Sequence, residues 1–310
     1  MANFTNKDVM KLREQTGVGM MDCKKALVET DGNFEEAVKY LREKGMASAA
    51  KKASRVAAEG LVKCLVAEDK KTAVAIEINC ETDFVARSDQ FIALVDNLAN
   101  HALRSDAATV EALSEEKYYL DGSKTVNVLI AEATAAIGEK ISLRRFTKFS
   151  LNESGIIASY IHMGGKIGVL AEFKSAAPQA DLQELAFNVC MQIAASKPQV
   201  ISVADCDPKA LEAEREILTA QAQNEGKPAA VIQKMVEGRL HKYYKDVCLL
   251  EQEYVRDSAL SVKQVIADVA KKTGADITVT RFVRYEMGEG IEKRVDNFVD
   301  EIAEQMKNIK

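Results

Sequence analysis

The sequence contains no tryptophan, and aromatic residues make up only 6% of its 310 residues. A protein that binds single-stranded nucleic acid by stacking needs a platform of aromatic side chains, so this composition argues against one. Basic residues are also outnumbered, because 42 Lys and Arg stand against 47 Asp and Glu and leave a net charge of −5. We therefore expect no nucleic acid as a direct partner.

Long hydrophobic runs are absent as well. No stretch approaches the roughly 18 consecutive apolar residues that a membrane-spanning helix requires. Residues 1–5 show neither the charged and then apolar pattern of a signal peptide nor an Arg-rich transit segment. The sequence therefore predicts a cytoplasmic protein with no membrane partner.

Motifs for metals and phosphates are missing too. The six cysteines form no C-x-x-C pair, and no histidine lies near them at the spacing of metal ligands, so we interpret them as reduced core thiols. The glycine-containing segments 17–19, 164–166 and 288–290 lack the glycine spacing and the Ser or Thr of phosphate-binding loops. We expect no metal, no cofactor and no directly bound nucleotide.

What is present is an ordinary globular composition, with 47% hydrophobic and 29% charged residues, in a chain long enough for two or more domains. Residues 1–55 show helical patterns only. A first helix is expected to end at Gly17, a second to span about 19–30, and a third to begin after Asn33 and end at Gly45. We predict a small N-terminal three-helix bundle.

From residue 56 onward, strand and helix patterns occur twice in the same order. The pattern of the segment 138–146 recurs, position for position, in the segment 274–282. We predict an α+β core of two β-β-α-α-β halves, 56–150 and 151–199 with 246–287, each an antiparallel sheet covered by helices. The expected strands are 61–66, 73–78, 141–146, 156–161, 167–173 and 277–282, and the expected helices are 89–103, 124–137, 180–195 and 262–272.

An inserted helical hairpin is predicted over 200–245, and an amphipathic helix over 291–308 within a C-terminal module, 288–310. We expect the two helices of the hairpin to pack against each other, with packing on a second copy or another protein as the alternative. The apolar stripes of the hairpin are Ala210, Ala213, Ile217 and Ala220 on one helix, and Ile232, Val236, Leu240 and Tyr243 on the other.

The second helix of the bundle offers a candidate binding surface. Met20 shares one face with Cys23 and Leu27 and is expected in the core, whereas Met21 and Lys24 are rotated away from that face. An exposed methionine flanked by lysines is suited to docking on another protein. A solvated charged face with one stray methionine is the alternative.

A second candidate segment, 79–87, follows the second predicted strand. In one interpretation Thr82 or Asp83 caps a helix and Phe84 packs inward. In the other, Asp83 and Phe84 form an exposed acidic and aromatic wedge. His162, at the end of a predicted strand, is either an exposed hairpin residue or a weak acid–base candidate.

Six groups of positions carry recognisable motifs: 12–27, 81–86, His162 with 167–170, 193–198, 234–239 and 282–293. Together they resemble the elongation factor Ts family. They occur in the family's order along the whole chain, so the resemblance is specific. It favours binding roles for Met21, Asp83 with Phe84, and His162 over the other interpretations given above.

The resemblance implies a guanine-nucleotide exchange factor that binds elongation factor Tu, the GTPase that carries aminoacyl-tRNA to the ribosome, and accelerates its release of GDP. Such a protein makes and breaks no covalent bond, so it is not an enzyme. The resemblance also implies that 1–55 is a bundle similar to ubiquitin-associated domains. It leaves open whether the complex is 1:1 or a two-fold assembly through the hairpin.

The resemblance further implies partner-binding roles for three groups of residues. Those expected to contact the nucleotide-binding domain of the GTPase are Arg13, Met20, Met21 and Lys24, together with the C-terminal helix. Those expected at a wedge beside its magnesium site are Thr82, Asp83, Phe84 and Val85, with Ile137 and Gly138 close by. Those expected to face a second domain of the GTPase are His162 and Val255.

Two rival hypotheses belong to other functional classes. An enzyme using Cys80, Asp83 and a distant histidine would turn over a small substrate without any GTPase, although the sequence contains no nucleophile motif. A general adaptor would use the N-terminal bundle to bind assorted partners rather than one GTPase.

Overall fold

The computed structural model describes residues 4–225 and 228–292, and this part of the chain has the predicted α+β architecture. Its helices are α1 (Asn6–Thr16), α2 (Met20–Glu29), α3 (Phe34–Lys52), α4 (Asp83–Ala86), α5 (Asp89–Arg104), α6 (Val110–Glu115), α7 (Val126–Ile137), α8 (Gln179–Ser196), α9 (Pro208–Asn224), α10 (Ala229–Val247) and α11 (Val262–Thr273). Its strands are β1 (Glu59–Val66), β2 (Thr72–Cys80), β3 (Lys117–Tyr118), β4 (Asp121–Thr125), β5 (Ser142–Ser150), β6 (Gly155–His162), β7 (Ile167–Ser175), β8 (Glu253–Tyr254), β9 (Asp257–Ser261) and β10 (Ile277–Glu286).

The first three helices form a bundle around a small apolar core, as predicted. α1 begins after Thr5, whose hydroxyl accepts a hydrogen bond from the Asp8 amide, and ends at Gly17 in a left-handed conformation that suits glycine. α3 begins after Asn33, whose side chain accepts a hydrogen bond from the Glu36 amide. The buried side chains of the bundle are Val9, Leu12, Cys23, Ala26, Leu27, Ala37 and Leu41.

The prediction that the third helix ends at Gly45 is wrong, because α3 continues to Lys52. Gly45 is buried where α3 meets α7, and a Cβ atom at Gly45 would lie 3.5 Å from the Cβ atom of Ala135. Beside it, Arg42 Nε donates to Glu132 Oε1 at 2.9 Å. The glycine therefore allows the bundle to approach the core closely, and this packing offsets the cost of about 1 kcal/mol for glycine inside a helix.

Two three-stranded antiparallel sheets form the core, with strand orders β1-β2-β5 and β6-β7-β10. Successive residues of a strand face opposite sides, so Ile76 and Ile78 of β2 pack with α5, whereas Ala75 packs with residues of the second sheet. Helices α8 and α11 cover the outer face of that second sheet. The sheets therefore lie back to back between two layers of helices, and the predicted pair of similar halves is confirmed.

Each half also contains a short two-stranded ribbon that sequence patterns do not reveal. β3 pairs with β4 and β8 with β9, and Tyr118 opposes Asp121 as Tyr254 opposes Asp257. The interval between the two ribbons along the chain equals that between the repeated segments, and each ribbon leads directly into a helix, α7 or α11. Strands this short carry too little alternation to be recognised by pattern.

The inserted hairpin packs upon itself, but one of its predicted faces is wrong. On α10, Val236 and Leu240 are buried as expected. On α9 the buried residues are Leu218 and Ala222, whereas all four residues of the predicted stripe, including Ile217, face outward. Leu218 lies two helical turns after the half-buried Leu211, so the inward face carries two leucines whereas the predicted stripe has one isoleucine and three alanines. Turning the leucines inward removes more apolar surface from water.

The predicted amphipathic helix, 291–308, lies outside the described residues from 293 onward. Within 4–225 and 228–292, no helix combines the length and the apolar character needed to cross a membrane.

Glu77, on the central strand β2, is fully buried and accepts hydrogen bonds from β5 and from Gly288, two residues beyond the end of β10. Arg144 Nη1 and Arg145 Nε donate to its carboxylate at 2.9 and 2.6 Å, and the Gly288 amide donates at 2.8 Å. Burial acts to raise the pKa of Glu77, but the hydrogen bonds from Gly288, Arg144 and Arg145 outweigh it and lower the pKa overall. Because Gly288 follows β10, this carboxylate ties the end of the second sheet to the first.

The second half repeats the arrangement. Glu172, buried on the central strand β7, accepts from Arg281 Nη2 at 2.6 Å and from Thr280 Oγ1 at 2.7 Å. Arg145 and Arg281 occupy equivalent positions of the repeated segments 138–146 and 274–282. The buried carboxylate–guanidinium pair is therefore a property of the repeat.

Glu77→Gln is expected to lower the free energy of unfolding by about 3 kcal/mol, because it leaves two guanidinium groups without their buried anion. Urea denaturation followed by circular dichroism measures this change. Glu153→Gln is the matched control, since Glu153 pairs with Lys174 at an exposed site and its loss costs at most about 1 kcal/mol. Equal effects of the two substitutions would contradict the structural role of Glu77.

The effect of Glu77→Gln on the free energy of unfolding is expected to depend on pH. The pKa of Glu77 is lower in the folded protein than its ordinary value of 4.5. The Glu77 carboxylate therefore contributes fully to the free energy of unfolding above pH 4.5, and this contribution is lost as pH falls through the pKa of the folded state. The stability difference between wild type and Glu77→Gln is therefore expected to be constant near neutral pH and to shrink in acid. A difference that grows on acidification would contradict this assignment.

Candidate functional site

The one-turn helix α4 presents Phe84 to solvent. Thr82 Oγ1 accepts a hydrogen bond from the Val85 amide at 3.3 Å and so caps the helix. Val85 and Ala86 turn toward the core beneath α5, and Phe84 points away with 84% of its surface exposed. The capping interpretation is confirmed for Thr82, whereas the inward packing of Phe84 is wrong.

Glu139 holds the segment from which α4 starts. Its Oε2 accepts hydrogen bonds from the amides of Glu81 and Thr82 at 3.1 and 3.0 Å, and its Oε1 accepts from Thr82 Oγ1 at 2.7 Å. Glu139 comes directly after Gly138, which ends α7 in the left-handed conformation (φ +90°). We call these contacts between Glu139 and residues 81–82 the Glu139 clamp.

A second carboxylate completes the support. Glu81 Oε1 accepts from the Lys140 amide at 2.6 Å and pairs with Arg55 at 3.2 Å. Lys140 Nζ in turn donates to the carbonyl oxygens of Ala53 and Arg55 at 2.7 and 2.8 Å. The end of α3, the start of α4 and the end of α7 therefore meet at one place.

The structure brings most of the predicted wedge residues together here. Gly138 lies next to the clamp, and Ile137 is half-buried against the core below it. Asp83 lies on the exposed side of α4, where it pairs with Arg87 at 3.0 Å. Sequence patterns did not indicate Glu139, because its contacts to residues 81 and 82 join positions 57 or more apart.

The N-terminal bundle carries an exposed methionine patch. Met21 is 76% exposed and Met20 is 47% exposed, so the expectation that Met20 lies in the core with Cys23 is wrong. Met20 is the first residue of α2 and lines a shallow depression with Met10 and Arg13 of α1. We call these four side chains, Met10, Arg13, Met20 and Met21, the methionine patch; Lys24 is exposed on the same helix as Met21.

His162 and Val255 lie in the second half, and both connect to α8. His162 Nδ1 lies 3.0 Å from Tyr160 Oη, and the Tyr160 ring meets Phe187 of α8 edge-on at 5.4 Å. Val255 is exposed at the turn between β8 and β9, where its amide donates to Gln192 of α8 at 2.8 Å. The turn that follows His162 also contacts β1, where the Val62 amide donates to the Gly165 carbonyl at 2.8 Å.

The enzyme hypothesis finds no support at Cys80. This residue is fully buried, and burial raises the pKa of its thiol to about 12, with the Glu139 and Glu59 carboxylates adding to the effect. A buried protonated thiol is a poor nucleophile. In the part of the chain that the structure describes, no three His, Cys, Asp or Glu side chains gather as metal ligands would.

Comparison with known proteins identifies the family. The family model described as elongation factor TS matches residues 81–289. Elongation factor Ts from Clostridium perfringens (strain SM101) is 53% identical over 300 residues, which is 97% of this chain and 98% of that protein. Elongation factor Ts from Clostridium botulinum (strain Alaska E43) is 51% identical with the same coverage.

The chain belongs to the elongation factor Ts family. The resemblance seen in its sequence motifs is thereby confirmed, and elongation factor Ts proteins are translation factors of protein biosynthesis. The family match spans the wedge, His162 and Val255, and the relatives' similarity extends to nearly the whole chain.

Glu139→Ala is expected to loosen the segment 81–86 while the two sheets stay folded. Removing the clamp leaves two amides and a hydroxyl without their acceptor, which lowers the free energy of local opening by about 1–3 kcal/mol. Hydrogen exchange followed by mass spectrometry measures this on a peptide covering 80–88. The control is Glu115→Ala at the exposed end of α6, and exchange of this peptide at the wild-type rate in Glu139→Ala would show that the clamp does not hold α4.

Proposed function

We propose that this chain binds the GDP-bound form of elongation factor Tu and accelerates GDP release by disturbing the site that holds Mg²⁺ and the phosphates. The observation that carries the proposal is the nearly complete exposure of Phe84 on a firmly held turn. A large apolar side chain kept in water costs free energy that only a partner surface recovers. Membership of the elongation factor Ts family supports elongation factor Tu as that partner.

The mechanism follows from the charge on the nucleotide. GDP is held in a GTPase by backbone amides at a helix N-terminus and by Mg²⁺, which neutralise its phosphates. Insertion of Phe84 and Asp83 between the helices beside the metal displaces those groups and weakens GDP binding. By reciprocity, GDP weakens binding of the chain by the same factor. No covalent bond changes, so the chain acts as an exchange factor and not as an enzyme.

The energetic demand explains why several surfaces are needed. Accelerating GDP release by about a thousandfold takes about 4 kcal/mol of differential stabilisation. Burying one Phe side chain provides about 1.5–3 kcal/mol, part of which is used to open the partner. We therefore assign additional binding to the methionine patch with Lys24, and to the surface that carries His162 and Val255.

The clamp gives the wedge its stiffness. A one-turn helix has no stability of its own in water, so a free 81–86 segment would yield when pressed against another protein. Because Glu139 binds the amides of residues 81 and 82, the segment keeps its conformation and the partner protein changes shape instead. Thr82 and Val85 then act by holding and orienting Phe84.

We assign a different contact with the GTPase to each successive segment of the chain. Residues 1–55 dock on the nucleotide-binding domain, 56–150 carry the wedge, and 151–199 with 246–287 contact a second domain of the GTPase. The hairpin, 200–245, and the C-terminal module, 288–310, provide further contacts to the GTPase or to a second copy. The chain acts in the cytoplasm, where translation takes place, and without a nucleotide or cofactor of its own.

Phe84→Ala is expected to fold with an unchanged melting temperature, because Phe84 contributes little to the core, and to slow GDP release from elongation factor Tu at least about tenfold, the equivalent of 1.4 kcal/mol. Stopped-flow fluorescence of labelled GDP measures the rate. Leu120→Ala, which trims an exposed apolar residue of the turn between β3 and β4, is the control and should release GDP as wild type does. A wild-type rate with folded Phe84→Ala would remove Phe84 from the mechanism.

Met21→Ala is expected to weaken the complex without lowering the melting temperature, since Met21 is exposed on α2. Titration calorimetry with nucleotide-free elongation factor Tu measures the affinity, and a loss of about 1–2 kcal/mol is expected for an anchoring side chain. Met46→Ala on α3 is the matched control within the same bundle. Unchanged affinity, or a large drop in melting temperature, would contradict the docking role.

A further inference from the structure

Two thiols meet at the root of the helical hairpin. The Sγ atoms of Cys206 and Cys248 lie 3.5 Å apart. Cys206 lies just before the start of α9, and Cys248 directly follows α10. The contact therefore joins the two ends of the hairpin, and it takes no part in the proposed exchange mechanism.

We propose that Cys206 and Cys248 are a modification site, at which hydrogen peroxide converts the two thiols into a reversible disulfide that ties the root of the hairpin. The bond would close the segment between two positions 42 residues apart. It would keep the two ends of the hairpin together at the point where they leave the core.

The geometry requires little movement. A disulfide is about 2.05 Å long, so the two sulfur atoms need to approach by about 1.5 Å. The backbone beside Cys248 is already held, because the Val200 amide donates to the Val247 carbonyl at 3.1 Å and the Leu249 amide donates to the Val200 carbonyl at 2.9 Å. We therefore expect rotation of the two side chains to close the gap while the hairpin keeps its place.

The two thiols differ in accessibility, which sets the order of reaction. Cys206 is half-buried and reachable by a small oxidant, whereas Cys248 is fully buried. Burial raises the pKa of Cys248 to about 12, and its contact with Cys206 and the nearby acidic residues Glu251 and Asp205 add to the effect. Cys206 is therefore the residue that meets peroxide, and Cys248 is the residue that resolves the product.

The chemistry balances in two steps. The Cys206 thiolate attacks one oxygen of hydrogen peroxide, the O–O bond breaks, and the released hydroxide takes up the proton that the thiol lost. The Cys248 sulfur then attacks the sulfenic sulfur of Cys206, the S–S bond forms, and the S–O bond breaks as the hydroxyl group leaves with the proton of Cys248 as water. Two thiols are oxidised by two electrons in total, and one peroxide is reduced to two waters.

The test uses the full-length folded chain. After treatment with hydrogen peroxide and removal of the oxidant, the chain is unfolded in acid, its free thiols are alkylated and its peptides are analysed by mass spectrometry. The expected result is the loss of two of its six thiols, a cross-linked peptide containing positions 206 and 248, and recovery of all six with a dithiol reductant. Six intact thiols, a different pairing, or overoxidation of Cys206 without a cross-link would overturn the proposal.

Two variants make the test specific. Cys206→Ser changes a half-buried residue and is expected to fold, and after peroxide it should keep all of its remaining thiols. Cys23→Ala, in the N-terminal bundle, is the control and should still form the cross-link. If Cys206→Ser loses two thiols under the same conditions, another pair is responsible and the proposal is wrong.

Discussion

A single carboxylate, that of Glu139, accepts the hydrogen bonds that orient the start of α4, and the exposed Phe84 depends on it. A helix of one turn makes too few hydrogen bonds of its own to stay formed in water. Here Thr82 caps it from within and Glu139 binds it from the end of α7, so an apolar ring stands in solvent on a rigid support. That combination of exposure and stiffness is what we propose elongation factor Tu responds to.

The repeated architecture explains why such a site occurs on one half only. Both halves contain a three-stranded sheet, a short ribbon and a buried Glu–Arg pair at related positions. The position equivalent to Glu139 in the second half is Ala275, which has no carboxylate with which to hold a turn. We therefore assign the proposed wedge to the first half and the proposed contacts of His162 and Val255 to the second half, which also accommodates the inserted hairpin.

Much of the fold was predictable because it depends on local periodicity and on an internal repeat. The positions that sequence patterns misjudged depend on long-range packing instead. Gly45 faces α7 rather than ending α3, and α9 turns Leu218 rather than Ile217 toward α10. Within the site, the residues of α4 were recognisable from a family motif, whereas Glu139 was not. The role of Glu139 depends on contacts between segments that are far apart in the chain, and no local sequence pattern indicates such contacts.

The most direct measurement of the proposed function is the dissociation rate of GDP from purified elongation factor Tu, with and without a saturating amount of this chain, at a fixed concentration of Mg²⁺. Release about a thousandfold faster in its presence corresponds to the differential stabilisation of about 4 kcal/mol that the contact surfaces are proposed to provide. Because the chain is proposed to act on the metal site, the acceleration should be smaller once Mg²⁺ has been chelated. A dissociation rate that the folded chain leaves unchanged would contradict the account.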